Sequence, residues 1–236
     1  MAHLEGRNIL VTGGSRGIGA AIALELARRG LKVIGTATSD EGAVKLNQTM
    51  SGFAGCSGCL LNVNDGAGVD ALIDTIVKQH GGLQILVNNA GFGIGGELTD
   101  MKPTAVALMI QLNIMTPTEL CLLFGREMKR KRSGRILHLS STAAYQPTPY
   151  IAAYGGTKSY ILNFSEALAK EMEGYGVVVT CLVPGPTDTS FFDRTGIEGL
   201  GEKQTGLWAK KKRMSPRSVA RIGVDALAAG RLTTIA

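Results

Sequence analysis

Between Ser140 and Lys158 the chain reads SSTAAYQPTPYIAAYGGTK, with two adjacent serines, three tyrosines and one lysine. Tyr154 and Lys158 stand four residues apart at the start of a helix-period pattern, so their side chains share a face and can converge on one ligand. A free tyrosine, with a pKa of about 10, is too weak an acid to exchange protons readily at neutral pH. A cation beside it favours the phenolate and makes the phenol a workable proton donor and acceptor. An isolated pair of this kind is by default an exposed tyrosine next to a surface lysine, so the chemistry depends on what the rest of the chain builds around it. Alternation along a strand sends Ser140 and Ser141 to opposite faces, so only one of them can join the pair.

A second constellation lies near the start. TGGSRGIG places Gly13, Gly17 and Gly19 between a short strand-like run and the amphipathic segment GIGAAIALELARRG, which stops at Gly30. Glycines there permit turns closed to other residues and allow a pyrophosphate close to the backbone, while the helix N-terminus supplies amides and a favourable dipole. Three glycines alone are a weak signal; their place between strand and helix makes it strong.

Along the chain, the apolar runs NILVTG, KVIGTA, GCLLNV, LQILVNNAG, GRILHLS, VVVTCLVPG and LTTIA alternate with helix-period segments. This pattern predicts α/β class: one Rossmann-type doubly wound parallel sheet of about seven strands with helices on both faces. Two further long helical patterns are TAVALMIQLNIMTPTELCLLFGREMKRK, interrupted at Pro117, and AAYGGTKSYILNFSEALAKEMEGYG. No linker, repeat or low-complexity stretch divides the 236 residues, so a single domain over 1–236 is expected, with a substrate loop at about 189–214.

The formal charge of +6 is concentrated in KRKR at Lys129–Arg132 and KKKR at Lys210–Arg213. Without aromatic interleaving or a reading motif, these runs are better read as solvated charge than as a nucleic-acid footprint, the first as a helix C-terminus. CSGC at Cys56–Cys59 has redox or half-zinc spacing, but no second pair follows and Cys59 leads straight into LLNV, so no metal is expected. Free thiols suit a reducing compartment. No apolar run of signal-peptide or membrane-spanning length is read in the sequence, and a cytosolic protein is expected.

TGGSRGIG resembles the cofactor loop of the short-chain dehydrogenase/reductase family, NNAG at Asn88–Gly91 is similar to that family's strand-four motif, and Tyr154 with Lys158 matches its Y-x-x-x-K pair. The likeness covers nearly all of the chain, with the motifs in the family's order. It implies hydride transfer with a nicotinamide cofactor. Tyr154 would be the proton donor and acceptor, and Lys158 would lower its pKa and bind the nicotinamide ribose. Ser141, thirteen residues before Tyr154, would hold the substrate oxygen. Asn113 in QLNIM would anchor a proton-relay water, its alternative being a polar residue on a wet helix face. In PGPTDT, Pro184 and Gly185 would shape the backbone beyond nicotinamide, Thr187 would meet the carboxamide and Thr189 would assist. His138 reads as a strand residue, not a base.

Thr36, Ala37 and Thr38 end the second strand where an acid would serve an unphosphorylated ribose, and Arg16 stands in the glycine loop, so NADPH is favoured over NADH. Asp40 and Glu41 read as the cap and first turn of the next helix. GTATS is shared with the 3-oxoacyl reductases of fatty-acid synthesis. By that resemblance Ser15, Arg16 and Thr38 would hold the 2′-phosphate, with Gly13, Gly17, Ile18 and Gly19 beneath the pyrophosphate. Asn62 and Val63 would border adenine, and Asn89, Ala90 and Gly91 the adjoining ribose.

The second half, with STAAYQPTP and PGPTDTSFFD, is more similar to general short-chain oxidoreductases. The loop after Thr189 mixes Phe191, Phe192 and Trp208 with a basic end. Two readings stay open for that end: a rim for an anionic, carrier-bound acyl group, or a solvated edge. Tyr145 and Tyr150 read as pocket wall or loop packing. The resemblance implies a carbonyl substrate, small or carrier-bound, and a homodimer or homotetramer paired through the helices bearing Asn113 and Tyr154. A cofactor-binding sensor without turnover and an extended nucleotide-sugar epimerase are the competing classes. The intact Ser, Tyr, Lys and Asn set weighs against the first, the loop spacing and short C-terminal region against the second.

Overall fold

Period-two alternation sorts strand side chains onto two faces, and a sheet buried on both faces must be covered by apolar helix stripes. The computed structural model of the chain describes residues 6–191 and 213–236. Strands β1 (Asn8–Val11), β2 (Lys32–Ala37), β3 (Ser57–Leu60), β4 (Ile85–Asn88), β5 (Gly134–Leu139), β6 (Val177–Val183) and β7 (Thr233–Ile235) form one parallel sheet in the order β3-β2-β1-β4-β5-β6-β7. The helices among the described residues are α1 (Gly17–Arg28), α2 (Asp40–Met50), α3 (Gly66–His80), α4 (Pro103–Ile110), α5 (Thr116–Lys131), α6 (Ala152–Glu173) and α7 (Pro216–Ala229). This is the doubly wound Rossmann-type architecture expected from the alternating pattern.

The alternation is visible residue by residue. Ile9, Val11, Ile85, Val87 and Leu137 face Ile22 and Leu26 of α1, Leu46 and Met50 of α2, and Val224 of α7. Leu10, Leu86 and Ile136 face the other way, onto Ile76 of α3, Phe124 and Met128 of α5, and Met172 of α6. Strand order reverses between β1 and β4, and the crevice outside their carboxyl ends is where such sheets hold ligands. Gly30, at φ 79°, gives α1 its left-handed exit and lets the chain turn into β2.

The second long helical pattern is not broken at Pro117. Instead α4 and α5 are joined by a π-helical turn over Gln111–Met115, and Pro117 sits in the first turn of α5. Proline has no N–H for the carbonyl four residues before it, here that of Asn113, so the regular ladder fails there and the wider turn takes up the slack.

The continuous rod Pro103–Lys131 corrects one expectation. An 18-residue window of it has a mean hydropathy of 1.5, which by length and composition is apolar enough to cross a membrane. In the fold it is a wall of the domain: Leu120, Phe124 and Met128 pack into the core, and its end carries Lys129, Arg130 and Lys131. Those cations behave as a solvated helix terminus. Lys129 lies over the Tyr175 ring at 4.3 Å, and Arg132 caps the helix in a left-handed conformation at φ 50° while donating to the Gly174 carbonyl. Lys210–Lys212, Phe192 and Trp208 lie outside the described residues.

Candidate active site

Loops at the carboxyl end of the sheet enclose a cleft of about 580 Å³. Its two ends correspond to the two constellations legible in the sequence.

At one end the chain turns from β1 into α1. Gly13 and Gly17 hold φ of 64° and 56°, which side chains rarely tolerate. Gly19 is needed for a different reason: a Cβ there would collide with the Asn89 amide and the Gly13 carbonyl. Arg16 forms the extended N-cap of α1 with no side-chain capping bond, and no acidic residue lies in the first turn, so the helix end turns its amides and dipole toward the cleft. The strand-four residues fix this loop. Asn89 Nδ2 donates to the carbonyls of Thr12 and Gly13 at 2.9 and 3.0 Å. Thr12 Oγ1 accepts from the backbone N–H groups of Asn89 and Ala90, each at 3.0 Å. Asn89 therefore spends its amide nitrogen on the loop, so its first role is to support the loop. Thr12 has no place in the sequence reading; its role comes from main-chain bonds to residues 77 and 78 positions away, which no local motif marks.

Ser15, Arg16, Ile18, Thr38, Asn62, Val63, Ala90 and Gly91 line the same end. Among the described residues, the cleft lining contains Arg16 and Lys158 but no aspartate or glutamate. Asp40 and Glu41 occupy the first turn of α2, as expected, but the cap itself is Ser39, whose Oγ accepts from the Gly42 N–H at 3.2 Å. An anion-ready helix end, a glycine bed that a Cβ would fill and a carboxylate-free wall with Arg16 fit a dinucleotide bearing an extra phosphate.

At the other end, the first turns of α6 bring Tyr154 and Lys158 to the end of β5. Both are buried, at 9% and 8% exposure, so the default of an exposed tyrosine beside a surface lysine is overturned. Lys158 Nζ donates to the Leu139 carbonyl at 2.8 Å, and Ser140 Oγ donates to the Lys158 carbonyl at 2.8 Å. Ser141, one residue on, lines the cleft, accepts from the Ala143 N–H at 3.2 Å and lies close enough to the Tyr154 phenol to favour its ionised form. Ser140 lines the cleft as well, but its hydroxyl is spent on the Lys158 carbonyl and ties β5 to α6.

Burial pushes the Tyr154 phenol up to about 12, partly offset by Ser141. Burial also lowers the Lys158 ammonium to about 8. The expectation that Lys158 depresses Tyr154 is not met here. Nζ lies 5.8 Å from the centre of the Tyr154 ring and is turned to Leu139, so desolvation of the phenol dominates.

Asn113 sits in the π turn and is 2% exposed, which removes the wet-face alternative. Its Oδ1 accepts from the Phe92 N–H at 3.1 Å, while Nδ2 donates to the Phe92 carbonyl at 2.9 Å and to Thr157 Oγ1 at 3.0 Å. With both amide hydrogens used, a water held here would turn to the main-chain carbonyl that Pro117 cannot serve.

Pro184 and Gly185 form a turn anchored by Thr142 N–H to the Pro184 carbonyl and Gly185 N–H to the Ala236 carbonyl. Thr187 is buried, bridges Met214, and donates from Oγ1 to the Gly185 carbonyl at 3.0 Å. Thr189 reaches over the glycine loop: a Cβ on Gly17 would lie 3.4 Å from its Cγ2. Phe191 stands 5.4 Å from Tyr154, ring centre to ring centre. Most of the expected substrate loop, residues 192–212, lies outside the described residues. Tyr150 lines the cleft with φ 65°, and Tyr145 is exposed and away from the lining.

CSGC does not form a redox pair. Cys56 Sγ donates to the Leu31 carbonyl and accepts from the Val33 N–H, each at 3.3 Å, and burial raises the Cys59 thiol. Among the described residues no group of His, Cys, Asp and Glu could hold a metal.

Comparison with known proteins agrees with this geometry. The short chain dehydrogenase family matches residues 7–197. The chain is 39% identical over 189 residues to the 3-oxoacyl-[acyl-carrier-protein] reductase FabG of Escherichia coli (strain K12), covering 79% of this chain and 76% of that one. Among solved structures, ElxO with NADP bound is 29% identical with a TM-score of 0.81, covering 94% of this chain and 91% of that one. A short chain dehydrogenase/reductase from Burkholderia phymatum in complex with NAD matches the fold at TM-score 0.88 and 22% identity, covering 100% and 90%. A glycine loop on α1, a Tyr and Lys on one face of α6, and a family match over most of the length converge on one conclusion: the chain belongs to the short-chain dehydrogenase/reductase family of oxidoreductases.

Proposed function

We propose that the chain, acting as one domain over 1–236, reduces a ketone to a secondary alcohol with NADPH, a 3-oxoacyl thioester being the first substrate to test. The observation that carries this reading is the meeting of Ser141, Tyr154 and Lys158 at one end of a cleft whose other end offers Arg16 and a helix N-terminus. The absence of a carboxylate from the described lining supports the phosphorylated cofactor, as does the likeness to ElxO, solved with NADP bound. The likeness to FabG supports the thioester.

Bound NADPH supplies the hydride. Ser15, Arg16 and Thr38, which line the cleft, would hold its 2′-phosphate, and Gly13, Gly17, Ile18 and Gly19 would bed the pyrophosphate. Asn62 and Val63 would border the adenine, while Ala90 and Gly91 would border the adjoining ribose. Pro184, Gly185, Thr187 and Thr189 would flank the nicotinamide end, and Lys158 would hold its ribose. Ser141 orients the substrate oxygen. Tyr154, kept protonated by burial, gives its phenolic proton to that oxygen as negative charge develops there. The proton that Tyr154 gives up would be replaced from a water at the Asn113 carbonyl, by way of Lys158.

A second substrate class has its own support. Phe92, Ile151 and Phe191 pack around Tyr154, and the described lining holds no cation besides Arg16 and Lys158, which suits an uncharged apolar ketone. The test is NADPH oxidation against acetoacetyl thioesters, simple ketones and quinones, with NADH in parallel. Thioester turnover lost in Tyr154→Phe supports the reading; turnover retained in that variant would sink the role of Tyr154. Tight NADPH binding with no turnover on the whole panel would instead favour a sensor.

The exposed side chains of Met115 in the π turn, Leu122 on α5 and Tyr160 on α6 form an apolar outer face. We read this face as the contact of a homodimer. Four free cysteines suit a reducing, cytosolic setting.

A further inference from the structure

The two helical rods that carry the reaction centre are joined directly at one height, by Asn113 Nδ2 to Thr157 Oγ1. Eight residues further along each rod, about 12 Å by helix geometry, stand Cys121 on α5 and Ser165 on α6. These two side chains do not meet each other. His138 of β5 lies between them, with Nε2 3.2 Å from Cys121 Sγ and Nδ1 2.7 Å from Ser165 Oγ. His138 and Ser165 are fully buried, and Cys121 is 6% exposed.

The hydrogens are determined by the partners. Ser165 Oγ donates to the Ile161 carbonyl at 2.5 Å, so it must accept from His138 Nδ1–H. Nε2 is then a lone pair, and the Cys121 thiol donates to it, while Cys121 Sγ accepts from Asn88 Nδ2 at 3.5 Å. Donors thus run in one direction from β4 through α5 and β5 to α6. Among the described residues, the charged or titratable neighbours of this chain are Lys158 on α6, Cys121 on α5 and Cys181 on β6 beside Ser165. A protonated imidazole would place a second buried cation near Lys158 and leave Cys121 without an acceptor.

We propose that His138 is a positioning residue, a neutral imidazole that joins Cys121 to Ser165 and thereby holds the helices bearing Asn113 and Tyr154 in the register their convergence requires. His138 also immediately precedes Leu139, Ser140 and Ser141, so the same side chain aligns the strand end that receives Lys158. This rests on the reading of Asn113, Tyr154 and Lys158 as the reaction centre.

The experiment compares His138→Leu and His138→Asn, the latter keeping an N–H near the place of Nδ1. Steady-state ketone reduction is measured well below each variant's unfolding midpoint, beside NADPH titration. Expected for His138→Leu is a kcat lowered by about tenfold or more, as for a small misplacement of reacting groups, with NADPH affinity falling less than kcat, because most cofactor contacts lie on other elements than the helix that bears Lys158. His138→Asn should recover most of the lost kcat. Wild-type kcat in His138→Leu would overturn the proposal, and so would an Asn variant no better than Leu. Should the Leu variant not fold, 15N NMR of the wild-type ring nitrogens decides. A single Nδ1–H tautomer that stays neutral to about pH 5 supports the brace, and a ring that titrates near its ordinary value of about 6.5 overturns it. That spectrum needs no turnover, so a wild-type protein that reduces no ketone would sink the proposed function while the brace is still judged.

Discussion

Asn113 and Thr157, forty-four positions apart, are joined by a hydrogen bond of 3.0 Å between buried side chains. The bond links the π turn of one rod to the first turns of the other, between Tyr154 and Lys158. Thr157→Val keeps the volume and removes the acceptor. Stability should fall by about 1–3 kcal/mol for the unpaired buried amide hydrogen, read by urea unfolding, and kcat should fall more than KM rises.

The pH dependence should follow Lys158. Burial lowers its ammonium to about 8, so kcat/KM for reduction should be flat through neutrality and decline above about pH 8 as the cation is lost. Tyr154, pushed up to about 12, remains protonated across that range. The stability sign is the reverse. A lysine whose folded pKa is depressed destabilises fully below about 8, and this penalty is relieved as pH rises toward its ordinary 10.5. Thermal unfolding of wild type against Lys158→Met should show the difference between them shrinking over that window.

Cofactor choice should turn on Arg16. Removing a charge-assisted contact to a phosphate costs about 1.5–3 kcal/mol, which is about tenfold to a hundredfold in affinity. Arg16→Ser should raise the KM for NADPH by that factor and leave the KM for NADH nearly unchanged. Equal losses with both cofactors would argue against a phosphate contact at Arg16.

Gly19→Ala tests the glycine bed. The added Cβ has no space between Asn89 and the Gly13 carbonyl, so the loop must shift. NADPH binding, followed by fluorescence titration, should weaken by about tenfold or more, since a misplaced loop loses several amide contacts at once.

Association should depend on the outer face of α5. Leu122 is 55% exposed, and Leu122→Glu should convert a dimer to monomer in sedimentation velocity with the far-ultraviolet spectrum unchanged. A wild-type protein that sediments as a monomer would remove the dimer reading.

Much of the site is legible in the linear chain because its signals are local. Tyr154 and Lys158 share a helix face by spacing alone, and the glycine loop sits where a strand run meets a helix run. The preference for Ser141 over Ser140 rests on strand alternation and the family's spacing. Even the π turn has a local cause, because Pro117 lies four residues after Asn113.

The roles of Thr12, Thr157 and His138 carry no such mark. Each depends on partners supplied by other elements: Thr12 on Asn89 and Ala90, Thr157 on Asn113, and His138 on Cys121 and Ser165. The protonation of Tyr154 and Lys158 is likewise decided by desolvation, which exists only once the helices close over the sheet. The sequence by itself determined the fold class and marked the candidate reacting groups, since periodicity and short spacing operate within a helical turn or a strand. Only the tertiary structure decided how those groups are braced and charged, because buried hydrogen bonds and local dielectric belong to contacts between elements far apart in the chain.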